Sequence, residues 1–226
     1  AMDKVWSRQL LEIHGLNVPR YRTLDKASFS YNWSMYSRID FPMVVKPASA
    51  GSSIGLSIVE DRKGLDNAVD RAFTYDERII IEEYISGREF TVGILEDKAL
   101  PAIEIVPKDK FFDYEAKYTA GFTDYIVPAR VDNEVMFNLQ SGALATHRIL
   151  GCFSYSRTDM ILGRGNLPFV LELNSIPGLT PTSLLPKAAA LKGVDFTNLC
   201  IKLLDSAYEK TKNRRILLAD KEYAYT

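Results

Sequence analysis

Apolar residues at Val5, Leu10, Leu11 and Ile13 fall between Asp3, which can cap a helix start, and Gly15, which can end one, and the spacing predicts an amphipathic helix that is finished before Pro19. Residues 22–40 mix Ser, Tyr and Asn without a period and are expected to hold a short helix ahead of the next strand. The run FPMVVKP, the small-residue loop ASAGSSIG and the segment GLSIVE then read as strand, loop, strand. Leu65, Val69 and Phe73 recur at helical spacing within 63–74, and RIIIEEYI from Arg78 reads as a buried strand ending in carboxylates. REFTVGILEDKAL follows as a hairpin turning at Glu96, Asp97 and Lys98. Between Val106 and Asp124 polar and aromatic residues crowd together between strands, a length that predicts a lid or binding loop. Residues 132–150 form a helix with Val135, Leu139, Ala143 and Ile149 on one face. Strands over 154–162 and 168–173 are joined by a turn at 163–166, and helices over 183–191 and 194–211 close the chain.

Composition narrows the function. The 28 basic and 29 acidic side chains nearly cancel, to a net charge of −1, so no overall field draws the chain to nucleic acid or to an acidic membrane, and any anion must be held locally. No apolar run approaches the ~18 residues of a membrane span, and the first twenty residues carry no apolar signal core. Cys152 and Cys200 are too few for a disulfide scaffold, which predicts a reduced cytoplasm. His14 and His147 are far apart and read as surface or packing residues, not as a metal site or a hydrolytic triad.

Three segments carry candidate chemistry. The loop at 50–55, with Ser52 and Ser53, is either a plain turn or a cradle of N–H groups and hydroxyls for phosphate oxygens. Lys46, at the end of a buried strand, either snorkels or meets an anion, and Lys4 and Lys117 are further cations. Arg157 and Asp159 alternate on one strand and Glu172 and Asn174 on the next, so pairing the strands gathers two carboxylates and an amide on one face. Such oxygen ligands suit Mg²⁺, and like charges on one face repel unless a cation lies between them. The plain alternative is a salt-bridged sheet surface. Glu82, Glu83 and Glu89 surround a strand end and either solubilise it or border a nucleoside, with backbone groups reading adenine.

Taken together, AMDK at 1–4, VVKPASAGSSIG at 44–55, IEEYISGREFTV at 81–92, FFDYEAKY at 111–118, RTD at 157–159 and ELNSIPGLTPTSL at 172–184 resemble the ATP-grasp ligases, and within them the D-alanine–D-alanine ligases. The resemblance implies an α+β fold of two α/β lobes, 1–88 and 89–226, with nucleotide between two mostly antiparallel sheets. It implies ATP and two Mg²⁺, with Mn²⁺ as a substitute, and two D-alanines joined through an acyl phosphate for peptidoglycan synthesis. By the same resemblance Lys4 and Lys46 hold the α and β phosphates and Lys117 reaches the γ-phosphate. Ser53 belongs to the phosphate loop. Glu82, Glu83 and Tyr84 form the adenine strand end, Glu89 meets the ribose, and Phe111 walls the base. Asp159, Glu172 and Asn174 correspond to the metal ligands. Arg157 and the Gly178 N–H resemble the oxyanion stabilisers, Ser52 and Tyr118 a set linking the glycine loop to the lid, and Ser183 and Leu184 the seat of the second carboxylate.

A complete family member has a further domain before the AMDK string, bearing the glutamate that holds the first D-alanine, and the resemblance implies a homodimer for the complete protein. The chain is therefore expected to be a fragment. An isolated nucleotide-binding module and a ligase for another carboxylate and amine pair are the alternatives.

Overall fold

The computed structural model describes residues 3–31, 39–51, 53–107 and 123–223, with side chains described up to residue 212. The expectations at Ser52, Phe111, Lys117 and Tyr118 lie outside them.

Helix α1 (Lys4–Ile13) starts where expected. Asp3 accepts hydrogen bonds from the Val5 and Trp6 N–H groups, a cap worth about 1 kcal/mol. Its buried face is Val5, Arg8 and Leu11, whereas Leu10 and Ile13 are exposed. The chain then forms β1 (Tyr21–Asp25) and a short 3₁₀ helix over 26–28, within the stretch 22–40 where a short helix was expected; residues 32–38 of that stretch lie outside the described residues. β1 is an edge strand with only Leu24 buried, so its sequence shows no apolar alternation. Pairing of its whole length with residues 78–82 of β4 (Arg78–Glu83) decides its state. β2 (Met43–Pro47) and β3 (Ser57–Val59) form the expected hairpin around the small-residue loop. These strands make a four-stranded antiparallel sheet in the order β1, β4, β2, β3. Helix α2 (Arg62–Phe73), capped by Asp61, covers it with Leu65, Val69 and Phe73.

The second sheet holds β5 (Arg88–Leu95), β6 (Lys98–Ala99), β7 (Ile103–Pro107), β8 (Thr123–Ile126), β9 (Tyr155–Leu162) and β10 (Pro168–Asn174). Its order is β10, β9, β5, β7, β8, with β6 paired to β5. Glu96 and Asp97 both take positive φ, as a two-residue hairpin turn needs. Helix α3 (Asn133–Ile149) packs Val135, Leu139 and Ala143 against Phe90, Val92 and Met160 on one face. Helices α4 (Leu184–Ala190) and α5 (Phe196–Tyr223) close part of the other, where Gly93 leaves room for Leu185. α5 runs well past the expected end at 211.

Strand alternation sorts the residues of this sheet. Phe90, Val92, Met160 and Val170 point to the core under α3, so the odd-numbered positions of β5 and β9 point away from it. The link from the first sheet into the second is tight: a Cβ on Gly87 would lie 2.1 Å from the Leu162 carbonyl oxygen, which only glycine avoids. His147 is buried with Nδ1 2.7 Å from the Ser156 hydroxyl, and His14 is exposed, so both fit the packing or surface reading. No helix among the described residues is long and apolar enough to cross a membrane.

Candidate functional site

The face of β9 turned away from α3 carries Arg157 and Asp159. Opposite them on β10 stand Asn174 and Glu172, with Asn174 paired to Arg157 and Glu172 to Asp159. A β-bulge produces this register. Val170 opposes Met160 and Glu172 opposes Asp159, so Leu171 is an extra residue. Without it Glu172 would oppose Thr158, which points into the core. The bulge therefore turns both Glu172 and Asn174 onto the face that Asp159 occupies.

Asp159 is 5% exposed and fully engaged. It accepts from Thr91 Oγ1 at 2.6 Å, from Arg157 Nε and Nη2 at 2.9 and 2.8 Å, and from Asn174 Nδ2 at 3.1 Å. Glu172 is half-buried, 3.9 Å from Lys4 Nζ. Among the described residues no three His, Cys, Asp or Glu side chains cluster, so the oxygen donors here are two carboxylates and one amide.

Facing this acidic pair is the basic wall of the first sheet. Lys46 is buried, with Nζ 2.6 Å from Glu82 Oε1. Burial lowers its pKa to about 8, even though Glu82 opposes the shift. Burial alone would raise the Glu82 carboxyl, but Lys46 and Arg8 outweigh it and hold the group below its ordinary value. Lys4 donates from Nζ to the Ala50 carbonyl at 2.5 Å, which fastens α1 to the small-residue loop, and burial lowers its pKa too. A hollow of about 70 Å³ is lined by Lys4, Lys46, Ser53, Glu89, Asp159 and Glu172, among others. It shares Lys46, Ser53, Leu56, Glu89 and Leu171 with a larger cleft of about 340 Å³ bordered by Glu83, Tyr84, Ile85 and Ile105. Ser53 sits at φ +60° and Gly55 at φ +71°, a tight turn that brings the loop over the cleft.

Several expected side chains are committed elsewhere. The carboxylate of Glu82 is taken by Lys46 and Arg8 and cannot accept from a nucleoside, which leaves only its backbone for that purpose. The carboxylate of Glu83 is held by the Arg20 backbone N–H at 2.9 Å and side-chain Nε at 2.7 Å. Gly178, Ser183 and Leu184 do not line either hollow. The Ser183 hydroxyl bonds Thr180 within its own loop, and Leu184 packs beside the core under α4. Arg8 and Thr91 were not foreseen. Thr91 lies two residues after Glu89 on the same strand face, which is a legible signal.

Two antiparallel sheets closing on a cleft with lysines on one wall and carboxylates on the other define an ATP-grasp fold, and solved ATP-grasp ligases superpose on it. The family model described as D-ala D-ala ligase C-terminus matches residues 10–205. The chain belongs to the D-alanine–D-alanine ligase family. It is 41% identical over 214 residues to the D-alanine–D-alanine ligase of Methylacidiphilum infernorum, covering 94% of this chain and 68% of that protein. It is similar to the ligase of Bacillus anthracis solved with ATP, at 30% identity and a TM-score of 0.82, covering 94% of this chain and 68% of that one. The VanG D-Ala:D-Ser ligase of Enterococcus faecalis matches at 32% identity and a TM-score of 0.81, over 90% of this chain and 61% of that one. The chain thus spans about two thirds of the length of its curated relatives.

Proposed function

We propose that the protein joins two D-alanines at the expense of ATP, in the cleft between its two sheets, for peptidoglycan synthesis. The observation that carries this reading is the pairing of Glu172 with Asp159 and of Asn174 with Arg157, set across one hollow from Lys46 and Lys4. The nucleotide base fits the larger cleft beside Tyr84 and Ile85, with Glu89 near the ribose, and the phosphates run toward the lysines and the turn at Ser53. We take 1–88 and 89–226 as the two lobes; β4 ends the first sheet at Glu83 and β5 opens the second at Arg88, within a residue of that boundary.

The donor set fits Mg²⁺, a hard cation that takes few protein carboxylates and completes its shell with phosphate oxygens and water; Mn²⁺ suits the same ligands. Asp159, Glu172 and Asn174 would hold it, and the metal supplies charge neutralisation as phosphate is transferred. Lys4 and Lys46 bind and orient the triphosphate. The carboxylate of one D-alanine takes the terminal phosphoryl group, the amine of the other attacks the acyl phosphate, and phosphate leaves. We assign Arg157 and the Gly178 N–H to the oxyanion of that attack, and Ser183, with Leu184 at the start of α4, to the seat of the second carboxylate. A reaction fed by ATP belongs in the cytoplasm, and the two cysteines are free. We also take the complete protein to be a homodimer.

Incubated with ATP, Mg²⁺ and D-alanine, the protein expressed from its complete reading frame is expected to release phosphate only when D-alanine is present and to yield the dipeptide by mass spectrometry. D-Serine and L-alanine serve as competing acceptors. Phosphate release indifferent to D-alanine, or a different amide product, would refute the assignment.

A further inference from the structure

One buried cation beside the cleft has no part in the reading above. Arg8 is 2% exposed on the core face of α1, between Val5 and Leu11. Its Nη1 pairs with Glu82 Oε2, its Nη2 lies 3.5 Å from the Leu171 carbonyl at the β-bulge, and its guanidinium lies 5.3 Å from the Tyr21 ring centre. Nε has no acceptor among the described residues. A buried guanidinium with its fork only partly used is explained poorly by hydrogen bonding and well by charge.

The charge is set against Glu82. That carboxylate gives one oxygen to Arg8 and the other to Lys46, so one anion is shared by two buried cations. A carboxylate with a single cation for a partner would neutralise that partner. With two, a positive charge is left over, and Lys46 is the member of the set that lines both hollows.

We propose that Arg8 is a positioning residue for nucleotide binding: by sharing the Glu82 carboxylate with Lys46 it leaves the buried trio with a net positive charge, so that the Lys46 ammonium at the cleft wall is not fully neutralised and its charge is available to a phosphate. The inference rests on Lys46 being a phosphate contact. A mere tie between α1 and β4 would affect stability alone.

Four variants separate the possibilities, with affinity for a nonhydrolysable ATP analogue measured by calorimetry and KM for ATP by phosphate release. Arg8→Met is expected to weaken analogue binding and raise KM on the order of tenfold, with a smaller fall in kcat at saturating ATP. Arg8→Lys, which keeps the charge, recovers most of the loss. In a Glu82→Gln background Arg8 has no carboxylate to hold, so adding Arg8→Met changes affinity by less than about twofold. This last comparison stands even if Arg8→Met alone fails to fold. Wild-type affinity in Arg8→Met, or an undiminished effect of removing Arg8 from Glu82→Gln, overturns the inference. Lys46→Ala is the control for the underlying reading: if it binds the analogue as the wild type does, the phosphate assignment itself has failed, independently of Arg8.

Discussion

Lys46→Ala is expected to weaken nucleotide binding by about 10- to 100-fold, the size of a charge-assisted hydrogen bond to a phosphate lost from a protected site. Among the described residues the lysine is the one cation shared by the two hollows, and burial already strips its ammonium of water, so contact with a phosphate gives up little further hydration. The variant leaves Glu82 paired with Arg8, so the core of the first sheet survives. The same group has a pH signature. Its pKa in the nucleotide-free protein is pushed down to about 8, and a bound phosphate favours the charged form. Above that pH, binding must take up a proton, and affinity should fall by up to about tenfold per pH unit. Below it the dependence vanishes. Calorimetry between pH 7 and 9 checks both points: the slope should be present in the wild type and absent from Lys46→Ala. An equal slope in both would assign the titration elsewhere.

Asp159→Asn and Glu172→Gln are each expected to lower kcat/KM by on the order of 10²–10³, because each removes an anionic oxygen from the pair proposed to hold the divalent cation. Their effects on stability should differ. Asp159 is buried under the Arg157 fork, and its amide would leave that guanidinium without a full countercharge, for a loss of about 1–3 kcal/mol. Glu172 is half-exposed and 3.9 Å from Lys4, and its amide should leave the unfolding midpoint almost unmoved. Thermal unfolding beside steady-state kinetics tests this contrast. Near-wild-type turnover in Glu172→Gln would remove that residue from the site.

How far the sequence reaches can be judged at these residues. The i, i+2 spacing of Arg157 with Asp159 and of Glu172 with Asn174 placed each pair on one face, as found. That the two faces coincide depends on the extra residue at Leu171, and a bulge leaves no mark in a run such as FVLEL. Arg8 was hidden for a different reason. The apolar positions Val5, Leu10, Leu11 and Ile13 suggest one buried face, but the real one follows Val5, Arg8 and Leu11 at three-residue spacing. A charged side chain at a core position is discounted by hydropathy, and only the carboxylate of Glu82, far along the chain, makes it tolerable. β1 escaped notice because an edge strand needs little apolar content, its state being set by the backbone of β4. The strand-end glutamates Glu82 and Glu83 were found by position, but their partners Lys46, Arg8 and Arg20 come from three other segments that no local pattern connects to them.

A crystal structure with Mg²⁺ and a nonhydrolysable ATP analogue bears most directly on the proposed site. The triphosphate should lie between Lys4 and Lys46 on one wall and Asp159, Glu172 and Asn174 on the other, joined to the three oxygen donors through the cation, with the base beside Tyr84. Nucleotide bound elsewhere, or bound in the cleft with those three side chains turned from the metal and the phosphates, would contradict it.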